Sequence, residues 1–128
     1  MNELSNAVVE RDLSKVIRLL TAGEDVNAFD PYGSRPLISA IKLNSVEMAH
    51  LLIEAGADVC AKDTIGETAL FHAALSGHCD LVSKILEKAG SGRFDVLSES
   101  DLSMIKNKLG RDNIVNTLIE YGFVFPNW

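Results

Sequence analysis

Cysteine, basic residues and long apolar runs are all in short supply in this chain, and each shortage narrows what it can be. The two cysteines, Cys60 and Cys79, form no C-x-x-C pair and are too few for a disulfide framework, so a reducing, cytoplasmic setting is expected. No apolar run reaches the roughly 18 residues of a membrane span. The opening Met1-Asn2-Glu3-Leu4-Ser5-Asn6 has neither the basic region nor the apolar region of a secretory signal. With 12 Lys and Arg against 18 Asp and Glu the net charge is -6, which disfavours phosphate backbones and anionic membranes and suits a neutral or basic protein. Neither nucleic acid nor a membrane is an expected partner.

What is present is ordinary globular material: 47% hydrophobic and 23% charged residues, interspersed over 128 positions, enough for a single domain, 1–128, with a continuous apolar core. The organisation lies in a repeat. Ala22-Gly23-Glu24-Asp25-Val26-Asn27-Ala28 returns 33 residues later as Ala55-Gly56-Ala57-Asp58-Val59-Cys60-Ala61, and Asp30-Pro31-Tyr32-Gly33 returns as Asp63-Thr64-Ile65-Gly66. Chance rarely sets two registers to one period. A period near 33 is that of the ankyrin repeat, a β-turn followed by two helices, and the chain resembles ankyrin repeats along nearly its whole length.

The clearest local match is Gly66-Glu67-Thr68-Ala69-Leu70-Phe71-His72-Ala73-Ala74 with Ser76-Gly77-His78, set against the family pattern G-x-T-P-L-H-x-A-A-x-x-G-H. Thr68, Leu70, Ala73, Ala74, Gly77 and His78 align, whereas Phe71 stands in the histidine slot and His72 comes one place late. In the preceding unit Arg35 replaces the threonine, Ile38 the histidine and Asn44-Ser45 the Gly-His pair, departures that bear on the polar network between turns rather than on the helix pairs. The resemblance implies an all-α solenoid of about four helix-turn-helix units with short β-turn fingers and atypical capping units at both ends.

The expected units are 2–29, 30–62, 63–97 and 98–128. In the first, helices are expected at 4–10 and 13–22, the second with Leu13, Val16, Ile17, Leu19 and Leu20 on one face and Arg11, Lys15 and Arg18 outward. Gly23 is read as the C-terminal cap, because glycine enters the left-handed region without steric cost. In the second unit, helices are expected at 36–43, with Pro36 at the first position, and at 46–55. There Val46, Met48, Ala49, Leu51, Leu52 and Ile53 are apolar nearly all round, as in a helix lying between neighbours. In the third, Thr68 is the expected N-cap. The period breaks after Gly90, and helices are expected at 101–109 and 113–121, with Ile114, Val115, Leu118 and Ile119 as the apolar face. The chain starts at Met1 and reads as capped at both ends, so a complete small protein is expected. The tail Phe123-Val124-Phe125-Pro126-Asn127-Trp128 is expected to fold back over the last helix pair, with a partner contact at Trp128 as the alternative.

Groups that could carry chemistry do not converge in this reading. His50, His72 and His78 fall on a second helix, a first helix and an inter-helix turn. His78 and Cys79 are adjacent, but neighbouring helical residues do not face each other and no acid is spaced to complete a triad. His72, His78 and Cys79 lack zinc-site spacing, and Cys79 falls where the family buries an apolar residue. Gly90-Ser91-Gly92 has no Gly-Lys-Ser/Thr after it and reads as a connection rather than a phosphate loop. The chain is therefore expected to be no enzyme and to hold no metal or cofactor.

Binding is the remaining class. In ankyrin-like proteins the turn tips and first helices line a concave face where partners dock. Carried onto this chain, the partner-binding positions are Phe29, Tyr32, Ser34, Lys62, Ile65 and Glu67 at the tips, and Lys42, Leu43, Leu75 and Ser76 on the first helices. Val9, Glu10, Pro31 and Thr64 share those settings. Apolar groups at a tip have little core to bury, so Phe29, Tyr32 and Ile65 are the expected anchors. The resemblance implies a protein–protein interaction module, read as an inhibitor or immunity protein, monomeric when free, that blocks a basic enzyme or toxin. An adaptor or secreted bacterial effector is the alternative.

Overall fold

The computed structural model describes residues 3–90, 96–110 and 112–125. Among these residues lie eight helices: α1 Glu3–Val9, α2 Leu13–Thr21, α3 Pro36–Lys42, α4 Val46–Glu54, α5 Ala69–Leu75, α6 Cys79–Ala89, α7 Glu99–Leu109 and α8 Asn113–Glu120. Each odd-numbered helix packs on the even-numbered helix that follows it. The odd helices form an inner row and the even helices an outer row. Neighbours in the inner row meet more extensively than neighbours in the outer row, so the inner side is the shorter, concave one. The fold is an all-α repeat solenoid.

The 33-residue period reaches into the packing. Ala7, Ala40 and Ala73 are fully buried on α1, α3 and α5, and a small side chain at the same place lets successive inner helices approach. Val16, Ala49, Val82 and Val115, also fully buried, play the same part along the outer row. Each inner helix must then reverse into its outer partner, and the chain does so through one left-handed residue: Arg11 at φ 59°, Asn44 at 58°, Gly77 at 79° and Gly110 at 63°. For a residue with a Cβ this conformation costs about 1–2 kcal/mol. The turn closes nonetheless, because Asp12 N–H donates to the Ala7 carbonyl and Ser45 N–H to that of Ala40. Arg11 additionally donates from Nη2 to the Leu43 carbonyl of the next unit.

Most sequence expectations stand. Gly23 and Gly56 follow α2 and α4 at φ 98° and 96°, and Gly122 follows α8 in the same register at 101°. Pro36 opens α3, and Thr68 Oγ1 accepts from Phe71 N–H at 3.3 Å while donating to the Val96 carbonyl at 2.7 Å. α7 begins two residues earlier than expected. Ser98 and Asp101 form a reciprocal cap, Asp101 N–H to Ser98 Oγ at 3.1 Å and Ser98 N–H to Asp101 Oδ2 at 2.9 Å; the S-x-x-D spacing is a readable start signal. Phe123 and Phe125 are buried and Val124 is exposed, so this part of the tail does cover the last helix pair. Trp128 and the Ser91-Gly92 part of the glycine connection lie outside the described residues.

Three side chains depart from their expected faces. Ile17 is 52% exposed, since its position on the outer helices is the solvent margin held by His50, Ser83 and Asn116 in later units. Ile119 is 46% exposed, whereas Ile53 and Leu86 at the same position are buried under the next outer helix. Cys79 is exposed rather than buried, because it opens α6 and clears the core at that helix end.

Leu52, fully buried at the middle of α4, tests this register against Lys15, which lies partly exposed on α2. In chemical denaturation Leu52→Ala is expected to lose about 2–5 kcal/mol, and Lys15→Ala to stay within about 0.5 kcal/mol of the parent. Equal midpoints for the two would contradict the stacking.

Candidate protein-binding face

Each finger is built on one aspartate. Asp30 Oδ1 accepts from Tyr32 N–H at 2.8 Å and Ser34 N–H at 2.9 Å, and Asp63 Oδ1 accepts from Ile65 N–H at 3.1 Å and Glu67 N–H at 2.9 Å. The backbone closes behind it, with Gly33 N–H to the Asp30 carbonyl and Gly66 N–H to that of Asp63, both at 3.0 Å. Aspartate suits this place because its short carboxylate reaches backbone donors two residues on. The side chain at the third finger position then has nothing to pack on. Tyr32 is 84% and Ile65 74% exposed.

The fingers are fixed to one another. Thr64 N–H donates to the Gly33 carbonyl at 3.1 Å, and Asp58 N–H to Asn27 Oδ1 at 2.8 Å. Arg35 provides the central clamp, its Nε donating to the Lys62 carbonyl at 2.7 Å and its Nη1 to the Asn27 carbonyl at 2.9 Å. The same guanidinium lies 4.0 Å from the centre of the Phe29 ring. Where Thr68 caps α5, Arg35 at the matching place makes no cap and ties two loops together instead. The histidine slot is filled by Ile38 and Phe71, each 1% exposed, so apolar packing replaces a polar link there.

The expected partner-binding residues divide into groups. Phe29, Tyr32, Ser34, Lys62, Ile65 and Glu67 sit together on the two fingers; Phe29 is half exposed with its ring against Arg35. Lys42 and Leu75 end their inner helices, about 10 Å along the axis from the finger end of each helix. Leu43 and Ser76 follow as C-caps, and the Leu43 carbonyl is taken by Arg11. Leu43 and Ser76 therefore belong to the inter-helix turn edge rather than to the finger cluster. Arg35 was not legible as a clamp, since an arginine in a threonine slot has no local signature.

The histidines separate as well. His78 Nε2 is 3.1 Å from Asn44 Oδ1 on the turn edge. His72, in α5, has Nε2 3.0 Å from Glu67 Oε1. Burial holds the His72 imidazole below its ordinary pKa, Glu67 works in the opposite direction, and Lys42 adds to the lowering. Neutral imidazole is thus favoured there. His78 and Cys79 are successive residues at the start of α6.

Comparison with known proteins agrees with this architecture. A family described as "Ankyrin repeats (3 copies)" matches residues 4–96. The chain is 33% identical over 87 residues to the human Notch-regulated ankyrin repeat-containing protein, covering 65% of this chain and 76% of that one. It is 36% identical over 75 residues to the DNA replication inhibitor plutonium of Drosophila melanogaster, covering 59% and 41%. It is 31% identical over 110 residues to the potassium channel GORK of Arabidopsis thaliana, covering 86% of this chain and 13% of the channel. Among the described residues no helix is long and apolar enough to cross a membrane.

Two substitutions test how the face is held. Arg35→Ala removes both loop bonds and is expected to cost about 1–3 kcal/mol in denaturation; Arg35→Lys is not expected to restore it, because an ammonium lacks the planar fork that serves two carbonyls and a ring. Gly33 and Gly66 have φ near 81° and 85°, but a Cβ at Gly33 would lie 2.2 Å from Thr64 Oγ1 and 3.1 Å from Thr64 Cβ, while at Gly66 the space is open. Gly66→Ala should cost about 1–2 kcal/mol and Gly33→Ala clearly more, read from the same melts.

Proposed function

Since the chain belongs to the ankyrin-repeat family, whose repeats mediate protein–protein interaction, we propose that it is a stoichiometric inhibitor or immunity-type protein that covers a partner through its finger tips and inner helices. The observation that carries this reading is the exposure of Tyr32 and Ile65 at the ends of fingers whose turn N–H groups are held by Asp30 and Asp63. Apolar groups held rigidly in water gain by burial, and a preorganised surface loses little entropy on binding.

The net charge of -6 supports a basic protein as the partner, such as a nuclease-type enzyme or toxin, by raising the encounter rate at long range. Its charges are spread over the chain: Glu47, Glu54, Asp80 and Glu87 stand exposed on outer helices α4 and α6, which also carry Lys84 and Lys88, and Lys42 and Lys62 are exposed on the inner side beside Glu67. Steering therefore comes from the whole molecule and the contact itself from apolar tips with mixed charges around them. A relative named as an inhibitor of DNA replication is in keeping with a blocking role, although relatives with quite different names share the repeat and fold alone does not select a function.

The test is affinity capture from the native organism, identification of the partner by mass spectrometry, and a titration of the partner's own activity. Activity falling to zero at one equivalent supports inhibition, and a partner that stays active when saturated points to an adaptor. By calorimetry Tyr32→Ala and Ile65→Ala are each expected to weaken binding by about thirtyfold, or 2 kcal/mol, with thermal melts unchanged. Unaltered affinity in both would move the contact off the fingers.

A further inference from the structure

We propose that Asp63, Glu67 and His72, at the base of the second finger, form a binding site for one divalent transition-metal cation, with zinc as the best-fitting ion. Each offers one donor atom, and the three atoms lie within 4.8 Å of one another; among the described residues no other group of His, Cys, Asp and Glu converges in this way. Ligands bound to one first-row ion at about 2.0–2.2 Å lie about 3–4 Å apart. Small side-chain rotations are enough to close the difference.

Two features suit these atoms to a ligand. His72 Nε2 is sealed from solvent and has no hydrogen-bond partner, although Glu67 Oε1 is only 3.0 Å away; the pair has the spacing of neighbouring metal ligands without the alignment of a hydrogen bond. Asp63 is 8% exposed, and its Oδ1 accepts from two backbone N–H groups, which fixes the carboxylate at the base of the finger.

The preceding repeat serves as an internal control. Thirty-three residues earlier the same places hold Asp30, Ser34 and Ser39, where Ser39 Oγ lies 3.0 Å from Ser34 Oγ and 3.5 Å from Asp30 Oδ2. There the polar groups close on each other. In the second finger the two hydroxyls are replaced by a carboxylate and an imidazole, giving with Asp63 the oxygen and nitrogen donors that zinc accepts. Lys42, whose charge acts on His72, opposes an ion, with the two carboxylates of Asp63 and Glu67 against its one ammonium. Three protein ligands leave a coordination position for water or for a partner's side chain. His78 and Cys79 lie closest to His72 in sequence among possible nitrogen and sulfur ligands, but the fold places them on the opposite edge and brings His72 to the acids of the finger.

The test uses the whole chain with zinc as the titrant. Calorimetry should give one ion per chain, and the melting midpoint should rise with zinc and return with a chelator, because the folded state alone assembles the three donors. Cobalt in place of zinc should give a visible ligand-field spectrum. His72→Ser, which installs the residue of the preceding repeat, and Asp63→Asn, which keeps an oxygen for the turn N–H groups, should both retain the helical circular dichroism spectrum. Each should lose affinity by at least the about 10–100-fold that even outer-sphere partners are worth. If His72→Ser does not fold, Asp63→Asn decides. Cys60→Ser with Cys79→Ser should bind as the parent does. Absence of binding at millimolar zinc, parental affinity in the folded finger variants, or loss of binding in the cysteine variant would each overturn the assignment.

Discussion

Helices of seven to eleven residues are too short to persist in water by themselves, since a helix that size barely repays its nucleation. What holds each of them is the apolar side it shares with the helices before, behind and beside it, and that sharing requires every unit to present the same face at the same height. The 33-residue spacing of Ala7, Ala40 and Ala73 meets the requirement on the inner row, where a bulkier side chain would hold neighbouring helices apart. A left-handed residue at 11, 44, 77 and 110 meets it at the reversal. The chain accepts strained backbone at Arg11 and Asn44 because the turn sets the height of the outer helix, on which burial of the whole outer row depends.

The fingers follow from the same constraint. Stacking fixes the start of each inner helix, and the aspartate that opens the preceding turn then folds the loop back on itself. Contacts between loops lock the row: Arg35 joins the loops before the first finger and before the second, and Thr64 joins the finger backbones. Because the finger aspartates are used internally to close the turns, the groups left for a protein partner are the tip side chains, and these are apolar at two successive units. A rigid base with apolar tips favours tight recognition over adaptability. The second finger differs from the first in having acidic and imidazole groups at its base in place of hydroxyls, so chemically distinct ligands become possible on otherwise equivalent loops.

The sequence by itself determined the period, the helix pairs, the caps at Gly23, Pro36 and Thr68, and the finger aspartates' place, because those features are local: a glycine at a left-handed position or a capping hydroxyl acts within a few residues of itself. Tyr32 and Ile65 were placed at the tips by carrying the finger positions of ankyrin-like proteins onto the repeat. The errors fall where the outcome depends on a neighbour distant in sequence. Whether Ile119 is buried depends on what lies beyond its helix, whether Ile17 is covered depends on the margin between stacked helices, and whether Cys79 points inward depends on how its helix end meets the core. Only the tertiary structure decided that Arg35 spans two loops 27 and 8 residues away, that Leu43 lies on the turn edge, and that His72 meets Asp63 and Glu67 rather than His78. Side-chain reach between loops is set by the distances that stacking imposes, and those distances are not encoded in any one segment.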